Sequence, residues 1–368
     1  MLPNNIQSIL DEKFSVFQEK VQAGATIDPS LWTFLSESEQ LLIQLMSHNT
    51  PGPTAPGDNE FSWVLYTLNH KVSEKWVEIL RIAGMPHSAI QPNEWTQWML
   101  ELEGEGTLMG DGSWVSTALY GVLDPGWVQA ILYYFLFDLD ITTKHPFTNT
   151  PKVTTITQDT LSLALFGDWG TGQYQDGNLS SSPSQQVMQQ IAAKNPDVMI
   201  HLGDVYYAGL GSQEQEKLLD CWKSARLGNF TLNSNHEMYD GGLGLYNVAL
   251  NSPLFAAQNQ STFFAIRFNE WVILGLDSAY NATKFYMDGA IAGSEQKDFV
   301  DSLNLTKDNK LLVLTHHNPI DVQGLNPNAL WTDVVKNTLG GTEPDMWYWG
   351  HIHNGAMYQN LTGTGKTK

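Results

Sequence analysis

Apolar residues repeat at two different periods along this chain, and the change of period divides it. Upstream of about residue 140 they recur three and four apart in the stretches 9–21, 37–46 and 61–82, which predicts amphipathic helices. Pro/Gly-rich turns at 50–53 and 104–106 separate these stretches. Downstream of 160 the apolar residues come in short runs at 161–166, 198–202, 230–232, 311–315 and 346–349, each too short for a helix. These runs read as buried strands. A helix is predicted over 184–193, and 264–268 with 271–276 reads as a hairpin turning at Asn269-Glu270. A Thr-rich stretch, 141–160, links the two halves. The expected organisation is a helical domain over 1–155 followed by an α/β domain over 156–368, and a length of 368 residues suits two domains.

The chemistry-bearing residues fall just past the predicted strands. Asp168-Trp169-Gly170, Gly203-Asp204-Val205-Tyr206-Tyr207, Asn235-His236-Glu237, His316 after Val313-Leu314-Thr315, and Gly350-His351-Ile352-His353 stand in that order. Open α/β sheets bind their ligands at the carboxyl ends of strands. Together the blocks supply seven oxygen or nitrogen donors, enough for two metal ions. Two ions about 3.5–4 Å apart need a bridging ligand, and the carboxylate of Asp204 is suited to that. A His-x-His loop lets two imidazoles reach different ions, and Asn235 offers a neutral carbonyl oxygen. A single Gly-Asp or His-x-His is common by chance; five blocks in one order are not.

Taken one at a time, the same residues have plainer explanations. Asp168 could cap a helix, Asn235 could hold a turn and Tyr207 could belong to the core. His201, on a predicted strand, reads as packing or as a partner of a ligand. His317 competes with His316 for the same role. Glu237 and Cys221 read as structural, and His48, His70, His87 and His145 carry no assigned chemistry.

These motifs resemble the calcineurin-like metallophosphoesterases, and within them the purple acid phosphatase branch. The general family motif Asp-x-His is replaced by Asp168-Trp169-Gly170, while Tyr207, three residues after Asp204, matches the Gly-Asp-x-x-Tyr motif of the purple branch. The resemblance implies one ion on Asp168, Asp204, Tyr207 and His353, and another on Asp204, Asn235, His316 and His351. It implies His236 as the acid that assists the leaving oxygen. A phenolate ligand favours Fe(III), paired with a divalent Fe, Zn or Mn. It further implies two mixed β-sheets packed as a sandwich with helices outside. One departure concerns the residue before the Asn-His pair, usually Gly in the family and here Ser234.

Charge narrows the partners. A net charge of −20 makes long nucleic acids and anionic membranes poor partners. The first 155 residues carry more than half of that charge and seven of the thirteen Trp, so a protein partner for the helical half stays open. No apolar run approaches the ~20 residues of a membrane span. The start has no basic and apolar leader, and the single Cys221 suits a reducing compartment, so the expected location is the cytoplasm.

The function expected is hydrolysis of phosphomonoesters or small phosphodiesters at a dinuclear centre, through attack of a metal-bound hydroxide. Two alternatives stay open: a phosphodiesterase acting on nucleotides or lipid headgroups, and a non-catalytic metal-containing binding module.

Overall fold

A computed structural model describes residues 107–108, 114–115, 130, 133–134, 137, 143–148, 150–174, 180–283, 286–291, 293–321, 324–353 and 357–358. The chain forms two compact units, 1–143 and 144–368. In the first, β1 (Thr107–Leu108) pairs antiparallel with β2 (Trp114–Val115), and residues 130, 133, 134 and 137 are helical. The helices expected over 9–21, 37–46 and 61–82 lie outside the described residues.

The second unit holds two sheets. Strands β4 (Leu163–Phe166), β5 (Val198–His201) and β6 (Gly228–Thr231) form one, all parallel and in the order β4-β5-β6. The other has the order β10-β9-β8-β7-β3, from β3 (Val153–Ile156), β7 (Phe264–Phe268), β8 (Trp271–Gly275), β9 (Lys310–Leu314) and β10 (Met346–Tyr348). In it only the β7–β8 hairpin is antiparallel.

Alternation along the strands explains the layering, because successive side chains point to opposite faces. Phe264 and Ile266 of β7, Ile273 of β8 and Leu312 and Leu314 of β9 face inward, where they meet Val198, Ile200 and Phe230 of the three-stranded sheet. The rings of Phe230 and Phe264 lie 4.5 Å apart across this core. Ala265, Val272, Leu274, Leu311 and Val313 face outward and are covered by α4 (Glu295–Ser302) and α5 (Ala329–Thr332). Met199 of the smaller sheet faces outward onto Met188 of α1 (Pro183–Ala193) and Leu218, in the helical turns that follow α2 (Gly211–Gln213). Helix α1 starts where the sequence stops a strand: Ser182 accepts from the Gln185 amide, Gln185 reaches back, and Pro183 occupies the first turn.

Two expectations change. The smaller sheet is wholly parallel among the described residues, not mixed, because each of its strands returns through a helical crossover, as parallel pairing demands. The Thr-rich stretch also contains an edge strand, β3, whose β-branched Val153, Thr154, Thr155 and Ile156 pair with β7. Among the described residues no helix is long and apolar enough to cross a membrane.

Candidate metal centre

The carboxyl ends of β4, β5, β6, β9 and β10 converge. Asp168 follows β4, Asp204 follows β5, and α3 (Asn235–Tyr239) starts just after β6. His316 follows β9, and His351 and His353 follow β10. Sharp turns deliver these side chains: Asp168, Asp204, His351 and His353 have positive φ of 53°, 80°, 73° and 49°. Such backbone is uncommon for residues with a Cβ and clusters at functional sites. Gly203, at φ 103°, has no such freedom to spare; a Cβ there would lie 2.7 Å from Ser234 Cβ and 2.8 Å from His316 Nδ1.

Two groups of donors result. In the first, His353 Nε2 lies 3.2 Å from Asp168 Oδ1 and 3.7 Å from Asp204 Oδ2. The Tyr206 hydroxyl sits 3.2 Å from Asp204 Oδ2 and 3.0 Å from His353 Nε2. In the second, His316 Nε2 lies 2.8 Å from Asn235 Oδ1, 3.2 Å from His351 Nδ1 and 3.3 Å from Asp204 Oδ1. His351 Nδ1 is 3.1 Å from the same Asn235 oxygen.

The second group carries its own test for a cation. His316 Nδ1 is 2.8 Å from the carbonyl of Leu202, which can only accept, so Nδ1 carries a proton and, in the neutral form that binds a cation, the ring presents its lone pair at Nε2. That lone pair faces a carboxylate oxygen, an amide oxygen and another imidazole nitrogen. Burial keeps His351 well below the usual imidazole range, hence neutral. Asn235 is oriented by its amide nitrogen, 3.1 Å from Tyr239 Oη, so its oxygen points inward. Four atoms able to serve as ligands, His316 Nε2, Asp204 Oδ1, Asn235 Oδ1 and His351 Nδ1, meet here, a set that fits a positive ion. Asp168, Asp204 and His353 form an equally compact set on the other side.

Asp204 is charged despite its environment. Burial opposes ionisation, but His316, His236 and the hydrogen bond with His353 hold it well below the usual carboxylate range. For Asp168 burial prevails and its pKa is raised, although His353 opposes this. His236 donates Nδ1–H to the Tyr207 carbonyl at 2.6 Å, leaving Nε2 3.9 Å from Asp204 Oδ2. Burial lowers the pKa of His236, with Asp204 pulling the other way.

The two groups gather side-chain donors of Asp168, Asp204, Asn235, His316, His351 and His353. Tyr207 contributes its carbonyl to His236, and its ring lies 5.1 Å from Lys217 Nζ. A phenol beside the first group is that of its neighbour Tyr206, 3.2 Å from Asp204 Oδ2 and 3.0 Å from His353 Nε2, which sequence reasoning did not consider; the adjacent position in Gly203-Asp204-Val205-Tyr206-Tyr207 was the signal available. His317 lies within ligating distance of His316 and His351. Its ring is held, however, by Ser278 Oγ on Nδ1 (2.9 Å) and by the Tyr286 carbonyl on Nε2 (2.7 Å). His201 packs among Phe166, Trp169 and Trp222, and burial brings its pKa down to about 3.

A family model, calcineurin-like phosphoesterase, matches residues 161–355, just over half of the chain and all of the residues in the two groups. The chain belongs to the calcineurin-like phosphoesterase family. No curated protein matches the sequence. Membership implies metal-dependent hydrolysis of phosphoesters, and the donor groups described above are candidate ligands for the ions that such hydrolysis uses.

Proposed function

We propose that this calcineurin-like phosphoesterase works with two ions, in the manner of the purple acid phosphatase branch, on phosphomonoesters or small phosphodiesters. The observation that carries the reading is the orientation of Asp204. Its Oδ1 faces His316, and its Oδ2 faces His353, so one carboxylate serves both groups. The first ion would be held by Asp168, Asp204 and His353 with a neighbouring phenolate, and the second by Asp204, Asn235, His316 and His351. Anionic oxygen donors suit Fe(III) in the first group, and neutral imidazole and amide donors suit a divalent Fe, Zn or Mn in the second. Bound there, the ions supply an activated water for in-line attack and spread the charge that develops on the phosphoryl oxygens.

His236 supplies the proton. With Nδ1–H on the Tyr207 carbonyl, Nε2 is the nitrogen turned toward the Asp204 side of the site, and it would protonate a departing alkoxide. Because burial lowers its pKa, the protonated form grows as pH falls, and the rate through this step falls as pH rises past that value.

Metal analysis with a visible spectrum, beside assays on an aryl phosphomonoester and a bis-aryl phosphodiester, tests the reading. Two ions per chain, one of them coloured iron, and turnover of at least one ester are expected. One zinc and no iron would remove the purple-type assignment, and two ions with no turnover of either ester would remove the hydrolase.

A further inference from the structure

Ser234 directly precedes the Asn235-His236 pair that opens α3, and its surroundings give its hydroxyl a task. The residue is fully buried. Its φ of −137° and ψ of 176° are extended backbone, so a side chain costs nothing there. The hydroxyl oxygen accepts from the His236 amide at 3.0 Å, capping α3. It also lies 2.6 Å from Asp204 Oδ1 and in contact with Glu237 Oε2, so its one proton has two carboxyl oxygens within reach.

Asp204 Oδ1 is the oxygen turned toward Asn235, His316 and His351. In the form that would bind an ion through Nε2, His316 does not donate to it, because its one proton is on Nδ1 and directed at Leu202. Among the described residues, Ser234 Oγ is therefore the donor that Oδ1 has. A carboxylate turns easily about its last torsion. A hydroxyl fixed in a buried turn sets that rotation, keeping Oδ1 on one donor group and leaving Oδ2 to Tyr206 and His353.

We propose that Ser234 is a positioning residue for the ion on the Asn235 side: its hydroxyl donates to Asp204 Oδ1 and holds the shared carboxylate in the rotation that this ion requires. The proposal rests on the two-ion reading. It separates two tasks of one hydroxyl, capping a helix and orienting a ligand, and glycine tells them apart. As an N-cap, glycine is nearly as good as serine and far better than alanine, yet it donates nothing.

Calorimetric titration of the metal-free full chain with Zn²⁺ tests it, comparing wild type with Ser234→Gly and Ser234→Ala; His351→Ala identifies which binding step belongs to the Asn235 side. Both Ser234 variants should weaken that step by about 10- to 100-fold, the usual effect of losing a partner that orients a ligand, and leave the other step within a few-fold of wild type. If Ser234→Gly binds both ions as wild type does, the hydroxyl only caps the helix and the proposal fails. Equal weakening of both steps also overturns it. A wild type that takes up one ion removes the two-ion reading, and this proposal with it. Two wild-type steps with unchanged variants remove this proposal alone.

Discussion

The two ends of the smaller sheet use the same residue type for opposite purposes. At the amino end of β5, Asp197 is fully partnered: its Oδ2 accepts from the Ser162 amide at 2.8 Å and the Ser162 hydroxyl at 3.1 Å, and its Oδ1 pairs with Arg226. Those donors, the Ser162 amide first and Arg226 next, bring its pKa down to about 2. At the carboxyl end of the same strand, Asp204 accepts from two hydroxyls, Ser234 on Oδ1 and Tyr206 on Oδ2, and its two oxygens face two different groups of candidate ligands. A carboxylate paired with a guanidinium fastens strands together. One shared between two donor groups is placed to hold something positive from outside.

The sharpest way to break this contrast is to neutralise the functional end. Asp204→Asn removes the shared anion, and both ions should be lost with turnover falling to background; elemental analysis of the purified variant decides it, and full ion content with normal rates would refute the ligand map. His236→Ala should act next most strongly and differently. Both ions stay, while hydrolysis of alkyl phosphates falls by on the order of 10²–10⁴-fold and that of nitrophenyl phosphate falls least, because nitrophenolate leaves without a proton. Equal losses on both esters with reduced metal content would make His236 a brace only.

A smaller effect separates the two phenols. The hydroxyl in contact with Asp204 and His353 belongs to Tyr206. In an iron-loaded chain Tyr206→Phe should therefore bleach the visible band, and Tyr207→Phe should keep it. The reverse result would return the phenolate to the residue chosen by spacing. The smallest effect belongs to the structural end, where Asp197→Asn should leave ion content and rates alone and lower the melting temperature at neutral pH. The sign follows from a depressed folded pKa. The contribution is present above the unfolded carboxylate value near ~3.9 and is lost as pH falls toward about 2, so melting curves of variant and wild type should converge in acid. A pH-independent gap would mean that Asp197 acts through something other than its charge.

Much of this centre was readable from residue order because strand ends are readable. Short apolar runs located β4, β5, β6, β9 and β10 to within two residues, and the donors follow those runs directly. Where the backbone turns, periodicity gave no guidance. Nothing in Tyr206-Tyr207 says which ring a tight turn sends inward, since the alternation that sorts faces in a strand does not hold in a loop. Strand β3 was hidden for another reason: its Thr residues resembled a polar linker, and only pairing with β7 revealed them as an edge. Ser234 was visible as a departure from a family pattern. That its oxygen reaches a carboxylate 30 positions away in sequence needed coordinates.

The donors come from both sheets: Asp168, Asp204, Asn235 and His236 from the ends of one, His316, His351 and His353 from the ends of the other. The His351 amide and the Asp168 carboxylate that it contacts are separated by 183 residues. Contacts of such separation form late, because a long loop must close before they repay its entropy. On the two-ion proposal, metal uptake would be tied to the final docking of sheet on sheet, and a chain that has made only β4, β5 and β6 would have no complete cage for either ion. Ion binding would then add its free energy to the finished molecule alone. Loading with metal would report the end of folding as much as the beginning of catalysis.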